Sequence, residues 1–96
     1  MDILTWLQEW YKAQCDGDWE HQNGIRITTL DNPGWRVSIS LVDTSASAVT
    51  TEPYANAHGD DDWVSYEIKD GKFDGRGDPN KLTFLLESFR RLAEAP

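Results

Sequence analysis

"GIRITTLDNPGWRVSISLV", residues 24–42, decides the fold. It holds two β-branched, alternating runs, GIRITTL (24–30) and WRVSISLV (35–42), separated by DNPG (31–34). Pro33 presets φ and Gly34 is free to take a positive φ, which is the chemistry of a tight turn. Alternation puts Trp35, Val37, Ile39 and Leu41 on one face and Arg36, Ser38 and Ser40 on the other. This is a hairpin with one side to bury and one to leave open.

Upstream, residues 3–14 carry Ile3, Leu4, Trp6, Leu7, Trp10 and Tyr11 at the i, i+3, i+4, i+7 spacing of an amphipathic helix. Asp2 is placed to cap it, and Gly17 lies just beyond, where a helix stops. Downstream, residues 43–62 are small and polar and predict a long loop, with a short edge strand near Ala48–Thr51. WVSYEIK (63–69) alternates again, and DGK (70–72) turns it into a short strand at Phe73. GRGDPN (75–80) reads as a chain break, after which Asp78 caps a helix with Pro79 in its first turn. Leu82, Leu85, Leu86, Phe89 and Leu92 form its apolar stripe, with Glu87, Arg90, Arg91 and Glu94 toward water. The order α-β-β-loop-β-β-α predicts an α+β fold, a four-stranded antiparallel sheet with the N- and C-terminal helices packed on one face. The other face would stay open and carry Arg26, Arg36 and Tyr66.

The 96 residues suit one domain spanning 1–96. Mean hydropathy is low, at -0.63, yet five Trp, three Tyr and three Phe supply large area to bury. With 17 acidic and nine basic residues the formal net charge is -8. Neutralising phosphates needs a basic surface, so direct nucleic-acid binding is disfavoured, and an anionic membrane would repel the chain. Such a charge suits a basic protein partner. A single cysteine makes no internal disulfide, and the N-terminus lacks the basic region and the small-residue cleavage site of a secretion signal. The expectation is a soluble, cytoplasmic protein.

CDGDWEH (15–21) concentrates the only cysteine, three carboxylates, a tryptophan and a histidine. As a calcium loop counted from Asp16 it fails, because His21 stands where glycine is needed and Ile27 where the last ligand is needed. Counting from Asp70 puts Lys72 and Lys81 at ligand positions. Cys15, His21 and His58 are too few for a closed zinc site. Cys15 sits at a helix C-terminus beside Asp16 and Asp18, the wrong field for a thiolate nucleophile. No phosphate-binding glycine loop, G-x-S-x-G or H-E-x-x-H motif is present. RGD (76–78) is better explained by Asp78 as a cap than as an adhesion signal. GDDDW (59–63) is a second acidic cluster beside a tryptophan, either a solvated turn or a recognition patch.

Two longer segments carry a family resemblance. LTWLQEWYKAQCDGDWEHQNGIRITTLDNPGW (4–35) and DDDWVSYEIKDGKFDGRGDPNKL (60–82) resemble the immunity protein 53 family of bacterial polymorphic toxin systems. Departures concentrate in the loop at 43–58. The resemblance implies a non-enzymatic antitoxin, without cofactor, that binds a co-encoded toxin domain and blocks its active site. On that reading the partner is a protein with a basic surface, such as a nuclease cleft. Asp16, Asp18, Trp19, Glu20, Asp60, Asp61, Asp62 and Trp63 are then the expected contacts. The competing readings are a small metal-binding or cysteine-dependent enzyme centred on residues 15–21, and an interaction module with no toxin partner.

Overall fold

The computed structural model describes residues 1–95. Helix α1 (Ile3–Gln14) is capped by Asp2, whose carboxylate accepts from the Thr5 amide at 2.9 Å and its hydroxyl at 2.8 Å. It buries Trp6, Leu7 and Trp10 but leaves Leu4 57% exposed, so the buried stripe is narrower than the apolar one. Gly17, at φ +97°, turns the chain into the one-turn helix α2 (Trp19–Gln22). The hairpin follows as β1 (Ile25–Leu30) and β2 (Gly34–Ser40), with Val37 and Ile39 fully buried.

Five strands, not four, form the antiparallel sheet, in the order β1-β2-β5-β4-β3. The additional strand is β3 (Tyr54–Gly59), an edge strand with a bulge between Ala57 and Gly59. Residues 48–51 form no strand; the chain there turns after Thr44 and Ala46, which are buried. The Thr44 hydroxyl donates to the Leu41 carbonyl at 2.8 Å and accepts from the Ala46 amide at 3.1 Å, which holds that turn closed. YANAHG lacks the β-branched residues that mark a strand. Its pairing depends on Tyr54, whose ring stacks on Tyr66 at 5.0 Å.

β4 (Asp62–Lys69) and β5 (Lys72–Gly77) form the second hairpin. Asp70 (φ +55°) and Gly71 (φ +75°) make its two-residue turn, the pair of left-handed residues that matches strand twist. The expected break at 75–80 begins later than the sequence suggests, because Gly75 and Gly77 lie inside β5 at the centre of the sheet. A Cβ on Gly75 would stand 2.7 Å from Leu85 Cδ2, and one on Gly77 would stand 2.6 Å from Lys81 Cβ. These glycines let helix α3 (Leu82–Glu94) and the segment leading into it lie close on the sheet.

Both long helices cover the same face, as the α+β reading expects, and meet the sheet in an aromatic cluster. Phe89 stands at its centre, edge-on to Trp10 at 5.0 Å and Trp6 at 5.8 Å and tilted on Phe73 at 5.4 Å. Tyr66 belongs to this face rather than the open one, stacked on Phe73 at 5.5 Å. The same alternation that buries Val64 and Ile68 carries Tyr66 inward with them.

Phe89→Ala is expected to cost about 3–5 kcal/mol by urea unfolding. Leu4→Ala, despite sitting in the apolar stripe, should stay within about 0.5 kcal/mol of wild type. Equal losses at both positions would show that the cluster around Phe89 is not the centre of the core.

Candidate partner-binding site

The 15–21 turn is organised by its own carboxylates. Asp16 Oδ1 accepts from the amides of Asp18 and Trp19, both at 2.9 Å, and so closes the turn that leads into α2. Glu20 reaches back to the amides of Asp16 at 3.0 Å and Gly17 at 2.9 Å. Both acids are held below their ordinary values: Asp16 by the Trp19 and Asp18 amides, Glu20 by its own amide and those of Asp16 and Gly17. Asp18 is exposed and its side chain makes no hydrogen bond or ion pair with the described residues. With Asp43 it borders a shallow depression.

Trp19, expected at the partner surface, is instead built into the molecule. It is 5% exposed, its Nε1–H donates to the Val42 carbonyl at 2.8 Å, and its ring meets Trp10 and Tyr11. The ring locks the turn to α1 and to the end of β2, which leaves it little area for a partner. Cys15 is half-buried with its thiol on the Tyr11 carbonyl at 3.3 Å. His21 points into a different space, the groove beside α1. Among the described residues no group of three or more His, Cys, Asp or Glu side chains is placed to hold a metal ion.

The second acidic segment is braced from beneath. Asp60, Asp61 and Asp62 are exposed at the β3–β4 turn. Asp62 pairs with Lys81 at 2.7 Å, whereas Asp60 and Asp61 have no partner among the described residues. Trp63 is half-buried on the open face of the sheet, its ring over Gly34, where a Cβ would come within 3.3 Å. Its backbone is clamped by Asp78, a carboxylate with 0% exposure. Asp78 Oδ2 accepts from the Trp63 amide at 2.9 Å, and the Asp78 amide donates to the Trp63 carbonyl at 3.0 Å. The same carboxylate takes the Asn80 amide at 2.8 Å and the Lys81 ammonium at 2.6 Å.

Asp78 is thus not the cap of α3. It closes the turn Pro79–Lys81, and the helix begins at Leu82. Nothing in the sequence distinguishes a cap from this clamp, because both use Asp before Pro and backbone amides.

The two acidic segments do not merge. The 15–21 turn sits where β1 starts and β2 ends, through the Trp19–Val42 bond. Residues 60–63 sit at the other end, where β2 starts and β5 finishes. Across a molecule 42 Å in its longest dimension they are separate contact points. Beside the first of them, an open groove of about 760 Å³ runs between α1 and the start of β1, lined by Leu4, Leu7, Tyr11, Ile25, Arg26 and Lys72.

The family model described as Immunity protein 53 matches residues 4–94. The chain belongs to the immunity protein 53 family. Both acidic turns and the Asp78 clamp lie within the matched span. Immunity proteins of this family are non-enzymatic inhibitors, and membership implies neutralisation of a cognate polymorphic toxin. The cysteine-centred enzyme reading has no place in such a family. Searches of curated proteins and of solved structures gave no match. No helix among the described residues is long and apolar enough to cross a membrane.

The clamp makes stability depend on acid. Lys81 foremost, with the Asn80 and Trp63 amides, holds the Asp78 carboxyl at about 2 against an ordinary 3.8, over the opposing effect of burial. A folded value below the unfolded one stabilises the protein fully above about pH 4 and is lost as pH falls from 3.8 toward 2. Asp78→Asn should be less stable at pH 7, and its stability should vary less than wild type between pH 4 and 2 in urea titrations. Parallel curves for the two proteins would remove Asp78 from the acid transition. Trp19→Ala should cost about 3–5 kcal/mol in the same assay. Asp18→Ala should stay within about 0.5 kcal/mol, separating scaffold from surface in this turn.

Proposed function

We propose that this immunity protein acts in the cytoplasm by occluding the active site of its toxin, a nuclease with a basic cleft. The Asp60–Trp63 turn is the segment that enters the cleft. The carrying observation is the pair of free carboxylates, Asp60 and Asp61, on a turn braced by the buried Asp78–Lys81 clamp. A braced turn loses little conformational freedom on binding, so its contacts are not offset by ordering. Its carboxylates take the positions of substrate phosphates, and Trp63 supplies apolar area at their edge. Asp18 and the second carboxylate oxygen of Asp16 contribute at the other end mainly to steering, and Glu20, both of whose oxygens accept from turn amides, adds only its charge. A net charge of -8 favours approach to a basic surface.

The test is binding of the adjacent-gene toxin domain to wild type, Asp60→Asn/Asp61→Asn and Asp16→Asn/Asp18→Asn, each across a salt series, alongside nucleic-acid cleavage by that toxin. Neutralising the 60–61 pair should weaken affinity by about tenfold or more and flatten the salt dependence. The 16–18 pair should change mainly the association rate. Unchanged affinity and salt slope for the 60–61 variant would sink the proposed contact. A toxin that cleaves no nucleic acid would sink the nuclease assignment.

A further inference from the structure

The sheet face opposite the helices has a charge unlike the rest of the molecule. Strand register sets Arg36 directly opposite Arg76 and Lys72 directly opposite Lys69. Arg26 points the same way from the neighbouring row, level with Asp74 and Glu67. Five of the chain's nine basic residues therefore share this face with two of its 17 acidic ones. Both long helices pack on the other side. Among the described residues the segment leading into β1 covers only one end of the open face, where the buried Ser40 hydroxyl donates to Asn23 at 2.8 Å and Arg26 and Lys72 border the groove beside α1, while Arg36 and Arg76 stay exposed.

The central pair stands against sheet stability. Like charges directly opposite on adjacent strands repel, and here they sit on the inner strands β2 and β5. Asp74 offsets only one of them, binding Arg36 Nε at 3.2 Å. Arg76 is exposed and makes no ion pair among the described residues. Trp63 lies at the rim of the same face. Exposed arginines beside a half-buried tryptophan have the composition of a binding hot spot.

The surroundings say what would sit there. Asp31 and Asp60–Asp62 fence one end of the face, and Asp43 and Asp70 lie at the other. A phosphate polymer longer than the face would run into these carboxylates and into the field of an acidic molecule. A compact acidic protein patch fits inside the fence.

We propose that the open sheet face docks on an acidic patch of the toxin adjoining the cleft entered by the Asp60–Trp63 turn. This rests on the reading that the chain binds its toxin through that turn. A basic face within an acidic rim then sets the orientation of the complex, since a shifted register would oppose like charges.

The experiment uses the catalytically inactivated toxin domain encoded beside this chain, with Arg36→Glu/Arg76→Glu, Arg36→Ser/Arg76→Ser and Asp60→Asn/Asp61→Asn variants. Charge reversal is expected to weaken binding at least about 100-fold, and the serine pair about tenfold. The serine pair should stay folded, because it removes the Arg36–Arg76 repulsion together with the exposed Arg36–Asp74 ion pair, two small and opposing changes. A folded serine variant within threefold of wild-type affinity overturns the proposal, while the Asp60/Asp61 variant independently decides the acidic-turn contact. Sedimentation showing a wild-type dimer that the serine pair dissociates would assign the face to a second copy and overturn it. Tight binding of a 20-nucleotide DNA strand by wild type, lost in the serine pair, would do the same. A wild-type chain that leaves the toxin unbound overturns both readings.

Discussion

A buried carboxylate, Asp78, holds the junction on which the rest of the molecule depends. It receives the amides of Trp63 and Asn80 and the ammonium of Lys81, and its own amide returns to Trp63. Three structural events meet there: the start of β4, the end of β5 and the approach to α3. A buried carboxylate is tolerated only when hydrogen-bonded and paired, and this one is both. Removing Lys81 would leave the buried Asp78 charge without its counter-ion, whereas Lys81 without Asp78 would keep Asp62. The clamp therefore restricts the geometry of the β4–β5 hairpin and of α3 together.

The aromatic cluster uses that geometry. With α3 led down over Gly75 and Gly77, Phe89 reaches Phe73 on the sheet and both Trp6 and Trp10 on α1. Trp19 extends the cluster toward the acidic 15–21 turn through Trp10. The core thus ends at one acidic segment, and the Asp78 clamp supports the other. Neither turn is a loose loop, although each is rich in polar residues. Their rigidity comes from backbone amides satisfied by carboxylates and from one buried indole.

Charge is sorted by direction as well as by amount. The acidic residues gather at the ends of the strands, where turns and loops lie. The basic ones gather on the open face, because alternation in β1, β2, β4 and β5 sends every second residue there. A net charge of -8 conceals this arrangement, since a sum over the chain carries no direction. For a protein that must recognise a partner, a patterned surface discriminates better than uniform charge, because misaligned encounters oppose like charges.

Much of the architecture was legible in local patterns. The α1 stripe with its Asp2 cap, the DNPG hairpin, the α3 stripe and the α+β class all follow from periodicities of 3.6 and 2 and from turn chemistry. The two acidic clusters and the family resemblance were equally plain. Tertiary structure alone decided the fate of residues whose local signal is weak or points elsewhere. YANAHG becomes an edge strand because Tyr54 finds Tyr66, and GRG enters the central strand because glycine lets a helix approach. Trp19 turns inward because Val42 offers its indole an acceptor, and Asp78 becomes a clamp because β4 passes beside it. Sequence periodicity reports which side of an element is apolar. It carries no information about which distant backbone group will stand 2.9 Å away, and that distance separates a capping aspartate from one that holds the fold together.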